Sequence, residues 1–507
     1  MSQSFSRRIK MEIGVVLPVY NQKPHYIDEC IQSLESQNFR DFQIVIVIDG
    51  ANQETVQAVY KATKMLTIPY EIILRNENKG IAYSLNQGFS HLKDSRFLTW
   101  VSSDNRHYPD FLQTLYEQLV NASKETVLVY SLFNLIDQNG INRDNDEIRR
   151  SKMVNFMSQN KEEILQQNFI GASFLFKQSA FVKAGGYDSM FEKVEDYEFW
   201  IRLLRIGEIK FIPHFLMEYR LNGEHSYTTI TPREDIKIKS TAASNYHRLK
   251  QGDTPKVTVM ISFYNERKFI RQAIGSVLNQ TFKDFQLILI DDGSTDNPWE
   301  EIFKYNDSRI IPLKIENGGK ARALNIGLAF ALGEYILELD GDDWLEHDTL
   351  QTMVEEMSKQ PDDVGLCYGN RMKWIQRRYS AVPGPVYKGM NYKNKYEVLT
   401  EMKTHCPRLY RKSALNHIGG WPISKAEDFK IMLKLADHYK FYWIDKTLYN
   451  QRRHKNNITL LQQKENEQQI KEMIEEVLKE WGDIYKPEFI EKNGLIEKVN
   501  LSKNNNR

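Results

Sequence analysis

The 507-residue chain is poor in everything that marks a cross-linked, membrane-spanning or polyanion-binding protein. It has three cysteines, Cys30, Cys367 and Cys406. Their spacing fits no zinc motif and their odd number builds no disulfide framework, so buried, inert thiols in a reducing compartment are expected. Long apolar runs are missing: no stretch approaches the roughly 20 residues that cross a bilayer. A dominant charge is missing too. Lys and Arg total 68 against 67 Asp and Glu, and this balance gives no global field to draw the chain onto nucleic acid or anionic lipid. The basic residues Arg7, Arg8 and Lys10 lead into a short strand pattern, Met11 to Val19, with no signal-cleavage site. Neither a P-loop nor a Gly-x-Gly-x-x-Gly fingerprint occurs, so bound phosphates must be held by a metal and dispersed side chains. With 41% hydrophobic and 27% charged residues, the composition is that of a soluble globular protein, and a cytoplasmic one is expected.

What the chain does have is itself, twice. Val15-Val16-Leu17-Pro18-Val19-Tyr20-Asn21 is echoed by Val259-Met260-Ile261-Ser262-Phe263-Tyr264-Asn265. Ser36 to Phe42 is echoed by Asn279 to Phe285, Ile48-Asp49-Gly50 by Asp291-Asp292-Gly293, and Glu195-Asp196 by Glu427-Asp428. A repeat this long is a duplicated domain rather than a solenoid unit. Each copy opens strand, helix, strand. The β-branched run Phe42 to Ile48 suits a strand covered on both faces, which implies a parallel sheet with right-handed crossovers. Ligands of such sheets bind beyond the carboxyl ends of the strands, where Asp49, Asp104, Asp292 and Asp342 are expected.

The expected domains are 1–230 and 256–460, with a linker at 231–255 that has a helical pattern and a break at Gln251 to Pro255. A helical tail at 461–507 follows. Its apolar residues Ile470, Met473, Ile474, Val477 and Leu478 form one face of a helix, best read as docking onto the second domain, and the last residues from Ser502 are expected to fray.

Glu338-Leu339-Asp340-Gly341-Asp342-Asp343-Trp344 crowds three carboxylates at a strand end. Such a cluster is tolerable when a divalent cation or solvent neutralises it. An EF-hand is a poor fit, because its sixth loop position would be Leu345 and its twelfth Gln351.

Taken together these motifs resemble family 2 inverting glycosyltransferases of the GT-A fold, over roughly Glu12 to His225 and Lys256 to His454. The resemblance also rests on Asp291 to Asp296, on Gly319 to Asn325, on Gly171-Ala172-Ser173, on Gly185 to Asp188 and on Glu195 to Trp200. It implies an α/β fold of two tandem GT-A domains, each Rossmann-like with a mostly parallel mixed sheet. It implies nucleotide contacts from Asn21, Asn265, Asp49, Asp292 and Asp340, and diphosphate contacts from Arg220 and Arg452. It implies Mn²⁺ or Mg²⁺ held by Asp342 and His454, and by Asp104 with His225 in the first copy. Asp196 and Asp428 would take the proton from the acceptor hydroxyl. Trp200 and Trp344 are read as core aromatics.

The copies also differ. Ser102 and Ser103 stand opposite Asp340 and Gly341, Ile48 opposite Asp291, and Asn222 opposite His454. Fewer charged ligands mean a weaker metal site in the first copy.

The expected activity is a bifunctional transfer of sugars from nucleotide donors, of the uridine diphosphate class, to a glycan or lipid-linked glycan acceptor. The setting would be capsule, lipopolysaccharide or wall-glycan assembly, with peripheral association at the inner membrane face. The alternative is one active domain, the second, with the first as an acceptor-binding scaffold. A sugar-nucleotide-binding scaffold and a nucleotidyltransferase are the other classes. Intact Asp292, Asp342 and Asp428 speak against the first of these, and the missing glycine-rich phosphate loop against the second. Donor sugar and linkage reside in loops such as Asn134 to Lys152 and Arg371 to Lys395.

Overall fold

The computed structural model describes residues 11–143, 146–221, 231–378, 380–401, 403–424, 426–454, 463–492 and 495–504. The chain divides into two compact units, Met1–Ser244 and Asn245–Arg507, and the division falls within a helix, Arg233–Gln251.

The first unit is an eight-stranded sheet with helices on its faces. Its strands are β1 (Ile13–Val19), β2 (Phe42–Asp49), β3 (Tyr70–Arg75), β4 (Phe97–Trp100), β5 (Arg106–His107), β6 (Thr126–Ile136), β7 (Phe174–Lys177) and β8 (Glu208–Arg220), and they lie in the order β3-β2-β1-β4-β7-β6-β8-β5. The half from β3 to β4 is parallel, and β7 runs antiparallel to both its neighbours. Every residue of β2 except Gln43 is buried, which explains its unbroken β-branched run. The helix Pro24–Glu35 has proline in its first turn and buries Ile27, Cys30, Ile31 and Leu34, the i, i+3, i+4, i+7 spacing of one helical face. That face packs with Ile13, Val15, Leu17, Ile44 and Ile46 in one apolar cluster. On another helix, Ile81–Ser90, a Cβ at Gly88 would lie 2.6 Å from Val16 Cγ1, so only glycine lets this helix approach β1 so closely.

The second unit repeats the arrangement with β9 (Val257–Phe263), β10 (Phe285–Asp292), β11 (Ile310–Ile315), β12 (Tyr335–Asp340), β13 (Trp344–Leu345), β14 (Val364–Gln376), β15 (Ala381–Tyr387), β16 (Arg408–Arg411) and β17 (Lys440–Arg453). The order is β11-β10-β9-β12-β16-β14-β17-β13, with β15 added as a hairpin on β14. Strand for strand this is the first sheet again.

The expected variable loops are built differently. The first carries a helix, Glu147–Met157, and the second carries the β14–β15 hairpin. At the C-terminus the helix Gln463–Glu480 buries Met473, Ile474, Val477 and Leu478. A hairpin follows, β18 (Tyr485–Lys492) and β19 (Leu495–Lys503). The residues expected to fray from Ser502 therefore include the end of a paired strand.

Candidate active site

Strands β2 and β10 end at Asp49 and Asp292, each followed by a glycine with positive φ, +62° at Gly50 and +74° at Gly293. A Cβ on Gly293 would sit 2.7 Å from the Asn317 backbone nitrogen. Glycine therefore lets the 317–319 loop close over the strand end, where Asp292 accepts the Gly318 and Gly319 N–H groups at 2.9 and 2.8 Å. Asp49 likewise accepts Lys79 N–H at 2.9 Å and Ser84 Oγ at 3.0 Å, and it pairs with Arg75 at 3.0 Å. Asn317 Nδ2 adds a longer bond to Asp292 at 3.4 Å; a carboxylate has about four acceptor directions, so these three bonds orient Asp292 without saturating it. Asn21 and Asn265 have positive φ, and their Oδ1 atoms accept the Asn52 and Thr295 N–H groups at 2.7 and 2.8 Å. Both asparagines thus clasp the turn beside the Asp residues expected at the nucleotide.

In the second unit the Asp-x-Asp loop and the late Glu-Asp pair meet through charges. Lys320 Nζ is 2.6 Å from Asp340 and 4.0 Å from Asp428. Arg408 Nη1 reaches Asp428 and Glu338, each at 2.9 Å, and Tyr410 donates to Glu338 at 2.8 Å. Glu427 and Asp428 open the helix Glu427–His438, where the free N–H groups and the helix dipole favour an anion. Partial burial works to raise the Asp428 pKa, but Lys320 and Arg408 overcome it and hold the carboxyl below its ordinary value. Lys320 is held protonated by Asp340 and Asp428 despite its own burial. Glu427 is pushed up to about 7 by burial and by Asp428. The result is an anionic, half-exposed Asp428, able to accept a proton.

Asp342 pairs with His454 Nε2 at 2.8 Å. Glu266 joins them, and one ligand atom from each of the three lies within 4.8 Å of the others. Burial together with Asp342 and Asp340 pushes Glu266 up to about 8. Two carboxylates and an imidazole form a donor set that fits a divalent cation. The nitrogen suits Mn²⁺ better than Mg²⁺, which favours oxygen ligands.

Arg220 and Arg452, expected at the diphosphate, are buried instead and spend their donors on the chain. Arg452 Nε donates to the Asp342 carbonyl at 2.8 Å and Nη2 to Gln272 at 2.6 Å, Nη1 is bonded to Gln376, and the guanidinium lies over Phe269 and Trp344. Its backbone N–H is taken by Asp343 at 2.6 Å. Arg220 does the same with the Asp104 carbonyl at 2.9 Å and with Asn105 at 3.0 Å. Each arginine braces the aspartate loop from behind. Trp200 is fully buried, whereas Trp344 is partly open and packs on Arg452 and Trp374.

Strand register gives the first-unit counterparts of the charged residues. Phe97 and Tyr335 pair with the first residues of β1 and β9, so Trp100 stands at Glu338, Ser102 at Asp340 and Asp104 at Asp342. Lys177 and Arg411 pair with those same residues, which sets Phe174 at Arg408. Ile81 and Lys320 each follow the glycine that opens a helix. The ion network is thus replaced by Ile81, Trp100, Ser102 and Phe174, and only Asp196 is kept. These residues line a cleft of about 1020 Å³. Asp104 accepts Ser102 Oγ at 2.6 Å. Asp196, on the first turn of the helix Glu195–Leu203, is raised by burial, and burial with Asp196 raises Glu195 to about 8. His225 and Asn222 lie outside the described residues.

Local sequence pattern assigns no role to Lys320, Glu338, Arg408 or Glu266. Lys320 and Glu338 lie inside the stretches Gly319 to Asn325 and Glu338 to Trp344, and Glu266 follows the repeated Tyr-Asn, where the other copy has Gln22. Arg408 had no local signal.

A sequence model of glycosyl transferase family 2 matches residues 14–185 and 258–419, one match in each unit and more than half of the chain. The chain belongs to glycosyl transferase family 2. It is therefore a transferase built of two tandem family 2 domains. A chondroitin synthase of Escherichia coli is 25% identical over 90% of this chain and 72% of its own length. A hyaluronan synthase of Pasteurella multocida is 28% identical over 58% of this chain and 31% of its own. An uncharacterized glycosyltransferase of Rickettsia felis is 28% identical over 68% of this chain, which spans 64% of that protein. Among solved structures, Staphylococcus aureus TarS 1-349 in complex with UDP-GlcNAc is 22% identical, covering 43% of this chain and 66% of its own, with a TM-score of 0.36. No helix among the described residues is long and apolar enough to cross a membrane.

Proposed function

We propose that the chain is a bifunctional, metal-dependent inverting glycosyltransferase. It moves sugars from uridine diphosphate donors to a glycan or lipid-linked glycan in surface polysaccharide synthesis, working at the inner membrane face by weak association. The observation that carries this reading is the twice-built frame. In each unit an Asp at a strand end, an Asp at the Asp-x-Asp position and an Asp on a helix first turn come from equivalent elements. The names of the chondroitin and hyaluronan synthase relatives support the polysaccharide setting.

Asp428, ionised between Lys320 and Arg408, accepts the proton of the acceptor hydroxyl as that oxygen attacks the anomeric carbon. Direct displacement inverts that centre and releases the nucleoside diphosphate. Asp292 and Asp49 face the nucleotide. Asp342, His454 and Glu266 would hold the metal, which when bound supplies Lewis-acid stabilisation to the leaving diphosphate. Asp196 takes the base role in the first unit, with Asp104 beside it.

The loss of the ion network from the first unit favours one second reading, in which that unit only binds the acceptor. Nucleotide release from a donor panel with Mn²⁺ separates the two. Loss of a different donor in Asp196→Asn and in Asp428→Asn is expected. Loss in Asp428→Asn alone, with every donor unaffected by Asp196→Asn, overturns bifunctionality.

A further inference from the structure

We propose that the chain holds one tight divalent-cation site, in the second unit, and that Glu266 completes it. Its three donors come from separate elements: Glu266 just after β9, Asp342 in the loop after β12, and His454 at the end of β17. The approach is engineered by the backbone. Asn265, next to Glu266, is pinned at positive φ by its clasp on the 294–295 turn. Gly341, next to Asp342, is so tight against the end of β9 that a Cβ there would meet Phe263 Cβ at 2.5 Å and Glu266 Cβ at 3.6 Å. Arg452 fixes the same loop by its carbonyl. Two carboxylates held this close repel each other, and a cation between them removes that cost.

Among the described residues the first unit keeps the frame and Asp104 but not the other charged groups. Register sets Gln22 at Glu266 and Ser103 at Gly341. Gln22 Oε1 accepts its neighbour's N–H at 3.0 Å, and Ser102 in place of Asp340 removes a further negative charge. Cation affinity in oxygen-rich sites follows the number of charged ligands and their rigidity, so the first unit binds Mn²⁺ far more weakly. This rests on the reading of Asp342 and His454 as metal ligands, and Mn²⁺ binding without donor tests it apart from sugar transfer.

The test is Mn²⁺ titration of the full chain without donor, read by electron paramagnetic resonance of free Mn²⁺. One tight ion per chain is expected, with ¹⁴N coupling from His454 in the bound spectrum. Glu266→Gln should weaken it by about tenfold or more, and Glu266→Asp should recover part of the loss. Melting curves without metal confirm that each variant folds. Two ions of equal affinity, or Glu266→Gln binding as tightly as the wild type, would overturn the proposal. The wild-type stoichiometry decides the one-site claim even if a variant fails to fold.

Discussion

At the residue scale the two candidate bases differ in their company. Asp428 has Lys320 and Arg408 close by, while Asp196 has burial and Glu195. A general base works only when ionised, so activity is lost as pH falls through its pKa. Asp428 is shifted down, which places its acid limb low. Asp196 is shifted up, which places its limb higher. Initial rates against pH, taken with the donor of each unit, should show the first unit failing earlier on acidification. Lys320→Met removes a cation from Asp428 and should move the second limb upward while leaving the first in place, and Lys320→Arg should restore it. Removing either Asp carboxylate should cost about 10²–10⁴-fold in kcat for its own donor, measured by nucleotide release.

Little of this contrast was legible from sequence. The Asp residues stood out because a repeated motif announced them. Arg408 did not, because an arginine on a four-residue strand carries no pattern, and only the pairing of β16 with β12 and β14 brings it to Glu338 and Asp428. Arg220 and Arg452 were visible as late arginines, but burial and bonds to the aspartate loops make them braces.

At the element scale the site depends on strand ends and the glycines beyond them. Gly293→Ala would force a Cβ into the Asn317 backbone at a positive φ, which costs about 1–3 kcal/mol and moves the Gly318 and Gly319 N–H groups off Asp292. Thermal melting should show the loss, and nucleotide binding measured by calorimetry should weaken with it. An unchanged melting temperature would mean the loop gives way freely. Gly88→Ala tests the helix–sheet contact away from the site, and overpacking against Val16 should destabilise by about 1–3 kcal/mol with donor affinity intact. The strands and the helix faces could be read from the period of their apolar residues. The β14–β15 hairpin and the terminal β18–β19 hairpin could not, because the outer half of β14, β15 and β18 are only partly buried and mix polar with apolar residues, which blurs the alternation.

At the scale of the whole molecule, duplication followed by divergence is the dominant fact. Two sheets share one strand order, yet the strand ends of one gather Lys320, Glu338, Arg408 and Asp428 and the cleft of the other is lined by Ile81, Trp100 and Phe174. On the bifunctional reading, acceptor supplied with either donor alone gains a single sugar, and both donors together extend it further. Mass spectrometry of the products distinguishes these outcomes, and unlimited extension with one donor would contradict it.

The duplication, the α/β class and the aspartates at the strand ends are legible along the chain, because they rest on local pattern and on motifs that occur twice. The tertiary structure alone decided which charges face one another. The joining of Glu266 to Asp342 and His454, the Lys320 bridge and the apolar replacement in the first unit all depend on contacts between residues far apart in the chain. Those contacts follow from strand order and register, which no local window of sequence encodes.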